Sequence, residues 1–173
     1  MDKKIAIFGS GDAKPGDGNF ETAYRLGKLL AEEGFTVING GYGGIMLASS
    51  KGAFEAGGTT IGVTCKAFGR GGANEYTSRQ IEADTLDERL DTLLSQADAY
   101  IVLPGSTGTL LELAKAWELK NKGFIKKGKS IILLGEFWRP LIDIITQADA
   151  GSGKYINKAN EPQEALEILK RSL

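Results

Sequence analysis

Histidine is absent from this 173-residue chain. That removes Ser-His-Asp and Cys-His nucleophilic catalysis, His-ligated zinc and any histidine general base. Cysteine occurs once, at Cys65. No intrachain disulfide can form, and a reducing, cytoplasmic setting is the expectation. No apolar run approaches the ~20 residues of a membrane span. The apolar part of the segment Met1-Asp-Lys-Lys-Ile-Ala-Ile-Phe is too short for a signal peptide. Charge of one sign is lacking too: the formal net charge is −1, with no Lys/Arg stripe to track a phosphate backbone. Neither nucleic acid nor membrane is therefore an expected partner. No lysine lies in a pyridoxal-phosphate context, which excludes lysine decarboxylation, and no metal or redox cofactor is expected.

What is present suits one soluble globular domain spanning residues 1–173, with 42% apolar and 25% charged residues. Short apolar runs at 3–8, 35–39, 59–65, 100–103 and 129–134 read as strands. Residues 79–83 are a further short extended piece. Helical spacing of apolar residues covers 20–33, 45–56, 85–95, 109–121, 137–147 and 161–171, the last with Pro162 in its first turn. Residues 9–19, 66–76 and 151–153 read as loops. Strands and helices alternate with no dividing linker. The expected fold is α/β: three layers, Rossmann-like, with a mainly parallel sheet flanked by helices. Ligands bind such sheets at the carboxyl ends of the strands.

The most informative stretch is Tyr100-Ile-Val-Leu-Pro-Gly-Ser-Thr-Gly-Thr-Leu-Leu-Glu112. A buried strand stops at Pro104. Gly105, Ser106, Thr107 and Gly108 form a turn that lets backbone approach a ligand, and Thr109 opens a helix. A helix N-terminus presents unpaired N–H groups and a positive dipole end to an anion. A second such junction is Asn39-Gly-Gly-Tyr-Gly-Gly-Ile-Met46, where Gly40, Gly41, Gly43 and Gly44 precede a helix. Gly9-Ser10-Gly11 follows the first strand. It is no dinucleotide fingerprint, because the third glycine of Gly-x-Gly-x-x-Gly falls on Lys14.

Taken together, these residues resemble the Lonely Guy (LOG) family of Rossmann-like proteins, long mislabelled as lysine decarboxylases. Pro104, Gly105, Gly108, Thr109 and Glu112 match its Pro-Gly-Gly-x-Gly-Thr-x-x-Glu pattern. Gly40, Gly41, Gly43, Gly44, Ile45 and Met46 resemble its second glycine turn, and Arg89 falls where the family has an Arg-Lys pair. The resemblance runs from Ile5 to about Leu134. Three departures stand out: Ser106 for a glycine, Leu111 for the first of two acids usual in the hydrolases, and Leu90 for the lysine after Arg89. A related subgroup includes molybdenum cofactor carrier proteins.

The resemblance implies hydrolysis of a nucleoside 5′-monophosphate to a free base and ribose 5-phosphate. The alternative it implies is non-catalytic binding of a phosphorylated nucleotide or of the molybdenum cofactor. Glu112 and Arg89 would be catalytic, the acid facing the ribose and the arginine keeping it ionised. Gly105, Ser106, Thr107, Gly108 and Thr109 would hold the phosphate. Gly40, Gly41, Gly43, Gly44 and Ser10 would approach the sugar or base. A homodimer is implied, with the apolar faces of 85–95 and 109–121 as candidate interfaces.

Each residue also has a structural reading. Thr109-x-x-Glu112 has the spacing of a helix capping box. Arg89 can pair with Asp87, Glu88 or Asp91 on a solvated helix face. Cys65 reads as a core or strand-end thiol, Trp117 as packing, and the lysines of 120–129 as a solvated basic helix end.

Overall fold

The computed structural model describes residues 3–125 and 128–173. Seven strands form one sheet: β1 (Lys4–Phe8), β2 (Thr36–Asn39), β3 (Thr60–Cys65), β4 (Arg79–Ala83), β5 (Ala99–Val102), β6 (Ile131–Leu134) and β7 (Ile156–Ala159). Every pairing is parallel, in the order β4-β3-β2-β1-β5-β6-β7. Among the described residues six α-helices flank the sheet, α1 (Gly18–Glu32), α2 (Ile45–Glu55), α3 (Leu86–Gln96), α4 (Thr107–Asn121), α5 (Arg139–Ala148) and α6 (Pro162–Ser172), the first five lying between strands and α6 after β7. The expected three-layer α/β architecture is the one observed.

The central strands are short apolar runs because both their faces are covered. The two-residue period divides their side chains between two cores. Ile5, Ile7, Ala99, Ile101, Ile132 and Leu134 pack with α1, α2 and α6 on one face. Ala6, Phe8, Tyr100, Val102, Ile131 and Leu133 pack with α3, α4 and α5 on the other. The chain builds outward from β1 to β4, then crosses back to place β5 beside β1. That reversal opens a crevice at the carboxyl ends of β1 and β5, where the glycine turns lie.

Three sequence expectations are corrected here. α4 starts at Thr107, with Ser106 at its N-cap, so Thr109 caps nothing and Glu112 lies in the second turn. The side-chain N-cap is instead at α3, in a variant of the capping box. Thr85 Oγ1 accepts from Glu88 N at 3.2 Å, and Glu88 reaches back to accept from Asp84 N at 2.8 Å. The 151–153 loop belongs to a 3-10 turn, Ser152–Tyr155, which leads into β7, a strand the apolar pattern does not mark.

Trp117 is buried and donates from its indole Nε1 to Ser152 O at 3.0 Å, a packing role. Cys65 is buried at the end of β3. The lysines near the end of α4 are less solvated than expected. Lys120 is half-buried and donates to the Lys129 carbonyl, and Lys129 Nζ donates to Leu94 O at 3.1 Å. Lys126 and Lys127 lie outside the described residues. Among the described residues, no helix is long and apolar enough to cross a membrane.

Candidate functional site

Three turns meet at the carboxyl edge of the sheet, and Ser10 ties them together. Its N–H donates to Pro104 O at 3.0 Å, and its carbonyl accepts from Ile45 N at 2.8 Å. Its hydroxyl accepts from Asp12 N at 3.1 Å. Ser10 therefore joins the turns after β1, β2 and β5, and it does not line the cavity between them.

The turn after β2 is set by Asn39, which is fully buried. Asn39 Oδ1 accepts from Gly41 N at 2.8 Å, while Nδ2 donates toward Met46 O, Ser49 Oγ and Ser50 Oγ. At Gly44, φ is +63°, and a Cβ would lie 2.2 Å from Ser10 O, so only glycine fits. Tyr42 leaves this turn toward β3. Its hydroxyl accepts from Cys65 N at 2.9 Å and donates to Cys65 O at 3.3 Å. Asn74 closes the far side, donating from N and Nδ2 to Gly41 O at 2.7 and 3.1 Å.

The turn after β5 delivers α4. Ser106 makes no side-chain cap bond, so its hydroxyl does not occupy the first N–H groups of this fifteen-residue helix. Ser106, Gly108 and Thr109 line the cavity, leaving the positive end of the helix available to an anion.

The cavity has a volume of about 330 Å3. Of the residues expected from sequence, Gly40, Gly43, Arg89, Ser106, Gly108, Thr109 and Glu112 line it. Gly41, Gly44, Gly105, Thr107 and Ser10 stand behind the lining or beside it. Sequence reasoning gave no role to Asp12, Tyr42 or Leu86, named Met46 only within the second glycine turn, and placed Phe68 and Arg70 only in the 66–76 loop; all six line the cavity. Leu90 and Leu111, noted only as departures from a pattern, also face it.

Arg89 is not on a solvated face. It is only 8% exposed. Its Nε donates to Val63 O at 2.7 Å and its Nη2 to Gly40 O at 3.2 Å. A Cβ on Gly40 would fall 1.8 Å from that Nη2, so a bare backbone is what admits the guanidinium. Two of its five donors are spent on these carbonyls, and the residue lines the cavity.

Among the described residues, Arg89 makes no ion pair within 4.0 Å. Its positive charge still lowers the pKa of Glu112, but burial acts more strongly in the other direction. The net result is a Glu112 carboxyl pushed up to about 7. The expectation that Arg89 keeps Glu112 fully ionised is thus corrected: desolvation outweighs the guanidinium. The Glu112 side chain is only partly exposed, and the cavity is what it meets. Among the described residues, no group of three His, Cys, Asp or Glu side chains is arranged to hold a metal ion.

This geometry offers an anion seat at one helix end, a buried cation with unspent donors, and a carboxyl that titrates near neutrality. The chain is similar to several known proteins. A protein of Archaeoglobus fulgidus is 32% identical over 131 residues, covering 76% of this chain and 79% of its own length. The cytokinin riboside 5′-monophosphate phosphoribohydrolase of Mycobacterium tuberculosis is 38% identical over 120 residues, covering 68% of this chain but 63% of the enzyme. The molybdenum cofactor binding protein of Rippkaea orientalis superposes with a TM-score of 0.81 at 26% identity, over 99% of this chain and 97% of that one. The SLOG cluster4 family model matches residues 2–166, well beyond the Ile5 to Leu134 span of the motifs. The chain belongs to the SLOG cluster4 family.

Proposed function

We propose that the protein hydrolyses the N-glycosidic bond of a nucleoside 5′-monophosphate. The observation that carries this reading is that Glu112, Arg89 and the N-terminal turn of α4 line one cavity. The 5′-phosphate sits on the helix N-terminus, with Ser106 and Thr109 beside it. The ribose then lies against Glu112. As the C1′–N bond lengthens, positive charge develops on the sugar, and an ionised carboxylate stabilises it. Water adds its oxygen to C1′ and passes a proton to Glu112. The base leaves with the bonding pair and takes up a proton from solvent, and Glu112 returns its proton to solvent. One water is consumed, yielding base and ribose 5-phosphate. Arg89 favours the ionised form of Glu112 and offers donors to the substrate's oxygens.

A second reading is a binding protein for a phosphorylated ligand, including the molybdenum cofactor as cargo. Leu111 and Leu90 favour it. They line the cavity where the hydrolase pattern has an acid and a lysine, and neither can handle a proton or a charge. The near-full-length likeness to the Rippkaea orientalis protein supports it too.

Chromatography of products from nucleoside monophosphates separates the two. Under the hydrolase reading, free base accumulates, and Glu112→Gln slows its release by roughly 100-fold or more while binding stays within about threefold. Saturable binding without base release at any protein concentration supports the carrier. Unchanged turnover in Glu112→Gln removes the role given to that residue. We also propose a homodimer. Of the two helix faces expected from sequence, that of α3 is spent on the core, where Leu90, Leu93 and Leu94 are buried; on α4, Leu110 and Trp117 line a groove with Leu141 and Ile145 of α5, an apolar face for a second copy.

A further inference from the structure

Resting on the reading that the cavity holds a phosphorylated ligand, the geometry points to its ring end. If the phosphate sits on α4, which follows β5, the ligand extends past β1 and β2 toward β3. That is three strand spacings, about 14 Å. At that end stand Tyr42, Phe68 and Arg70, all lining the cavity.

Tyr42 is a fixed platform, its hydroxyl held by both backbone groups of Cys65. Phe68 leans on it, with ring centres 6.1 Å apart, yet stays 39% exposed. A partly exposed aromatic pair at a cavity mouth is a surface for a flat ring. The Arg70 guanidinium carbon lies 5.4 Å from the Tyr42 ring centre and 5.7 Å from that of Phe68. Arg89 sits at similar distances, 5.6 and 5.5 Å, from the same two rings. The aromatic pair is thus flanked by two cations. Among the described residues, Arg70 has no carboxylate within 4.0 Å, and its planar fork of donors is unspent.

We propose that Tyr42, Phe68 and Arg70 form a ring subsite selecting a fused planar ring with an oxo group beside a ring-nitrogen acceptor. A 6-oxopurine and an oxidised pterin share that edge; a 6-aminopurine does not. The reason is the donor-only character of arginine. Its fork matches two adjacent acceptors, as with O6 and N7 of guanine. Adenine sets an amino donor beside N7, so one arginine N–H would face another donor. Stacking on Tyr42 and Phe68 would hold either ring, and Arg70 decides between them.

Calorimetric titration of the full chain, in a Glu112→Gln background that prevents turnover, tests this. The probes are GMP, AMP, 6-hydroxymethylpterin phosphate and inorganic phosphate. GMP or the pterin phosphate is expected to bind about tenfold tighter than AMP. The tighter of the two identifies the source of the ring. Arg70→Ala should abolish that preference while leaving AMP and inorganic phosphate within about twofold. Arg70→Lys, which keeps the charge but loses the fork, should lose the preference as well. Equal affinity for all three ring ligands, with phosphate still competing, overturns the ring subsite and spares the phosphate reading. Equal weakening of every ligand in Arg70→Ala reassigns Arg70 to the phosphate and also overturns it. Failure of every probe, inorganic phosphate included, overturns both readings.

Discussion

Glu112 shows how far a single residue can be read from spacing. Thr109-x-x-Glu112 satisfies the capping pattern, yet α4 begins two residues earlier and turns the acid onto the cavity. Arg89 teaches the same lesson in reverse. Its acidic neighbours in sequence suggest a wet face, but Gly40, 49 residues away, leaves the room that buries it. The Glu112 pKa carries a testable sign. In the unfolded chain the group titrates near its ordinary 4.5, and in the folded protein near 7. Between those values the folded state holds the extra proton. Its contribution to stability is therefore complete below about 4.5 and is lost as pH rises through 7. The loss is up to ~3 kcal/mol. Glu112→Gln has no such proton to lose. Its Tm is expected to match that of the parent near pH 4 and to exceed it by up to roughly 6–12 °C at pH 8. Thermal melts across that range check this, and a difference independent of pH would contradict it.

At the scale of elements, the strands and helices with clear apolar period were legible, because burial on both sheet faces writes them directly into the sequence. β7 was not. It is a four-residue edge strand, Ile-Asn-Lys-Ala, paired only with β6, and only Ala159 is fully buried. Apart from Arg89 and Glu112, which the family pattern marks, the residues that shape the site were legible only where glycine marks a turn. Asn39, Tyr42, Asn74, Phe68 and Arg70 act through contacts across loops that have no period. Helix caps were half legible: the right motif was assigned to the wrong helix. Thr85→Ala is expected to cost about 1 kcal/mol, lowering Tm by roughly 2–4 °C. Ser106→Ala, which removes no cap bond at α4, should leave Tm unchanged. Equal losses in the two variants would contradict this assignment of caps.

For the whole molecule, strand order is the organising fact. The reversal between β1 and β5 brings three turns from distant parts of the chain to one edge, and Ser10 joins them through backbone groups. The alternation of strands and helices was enough to point to that edge as the candidate site. It was not enough to show which glycines line the cavity and which only permit packing. The proposed homodimer belongs to this scale. Light scattering at micromolar concentration is expected to give twice the mass of the chain, and Leu141→Glu in the α4–α5 groove to halve it. A monomer mass for the parent would remove the dimer. The most direct measurement is a crystal structure of the Glu112→Gln variant grown with GMP or AMP. The account predicts phosphate density on the N-terminal turn of α4, the sugar against residue 112 and the base near Tyr42. Ligand density outside this cavity, or residue 112 turned away from the sugar, would contradict it.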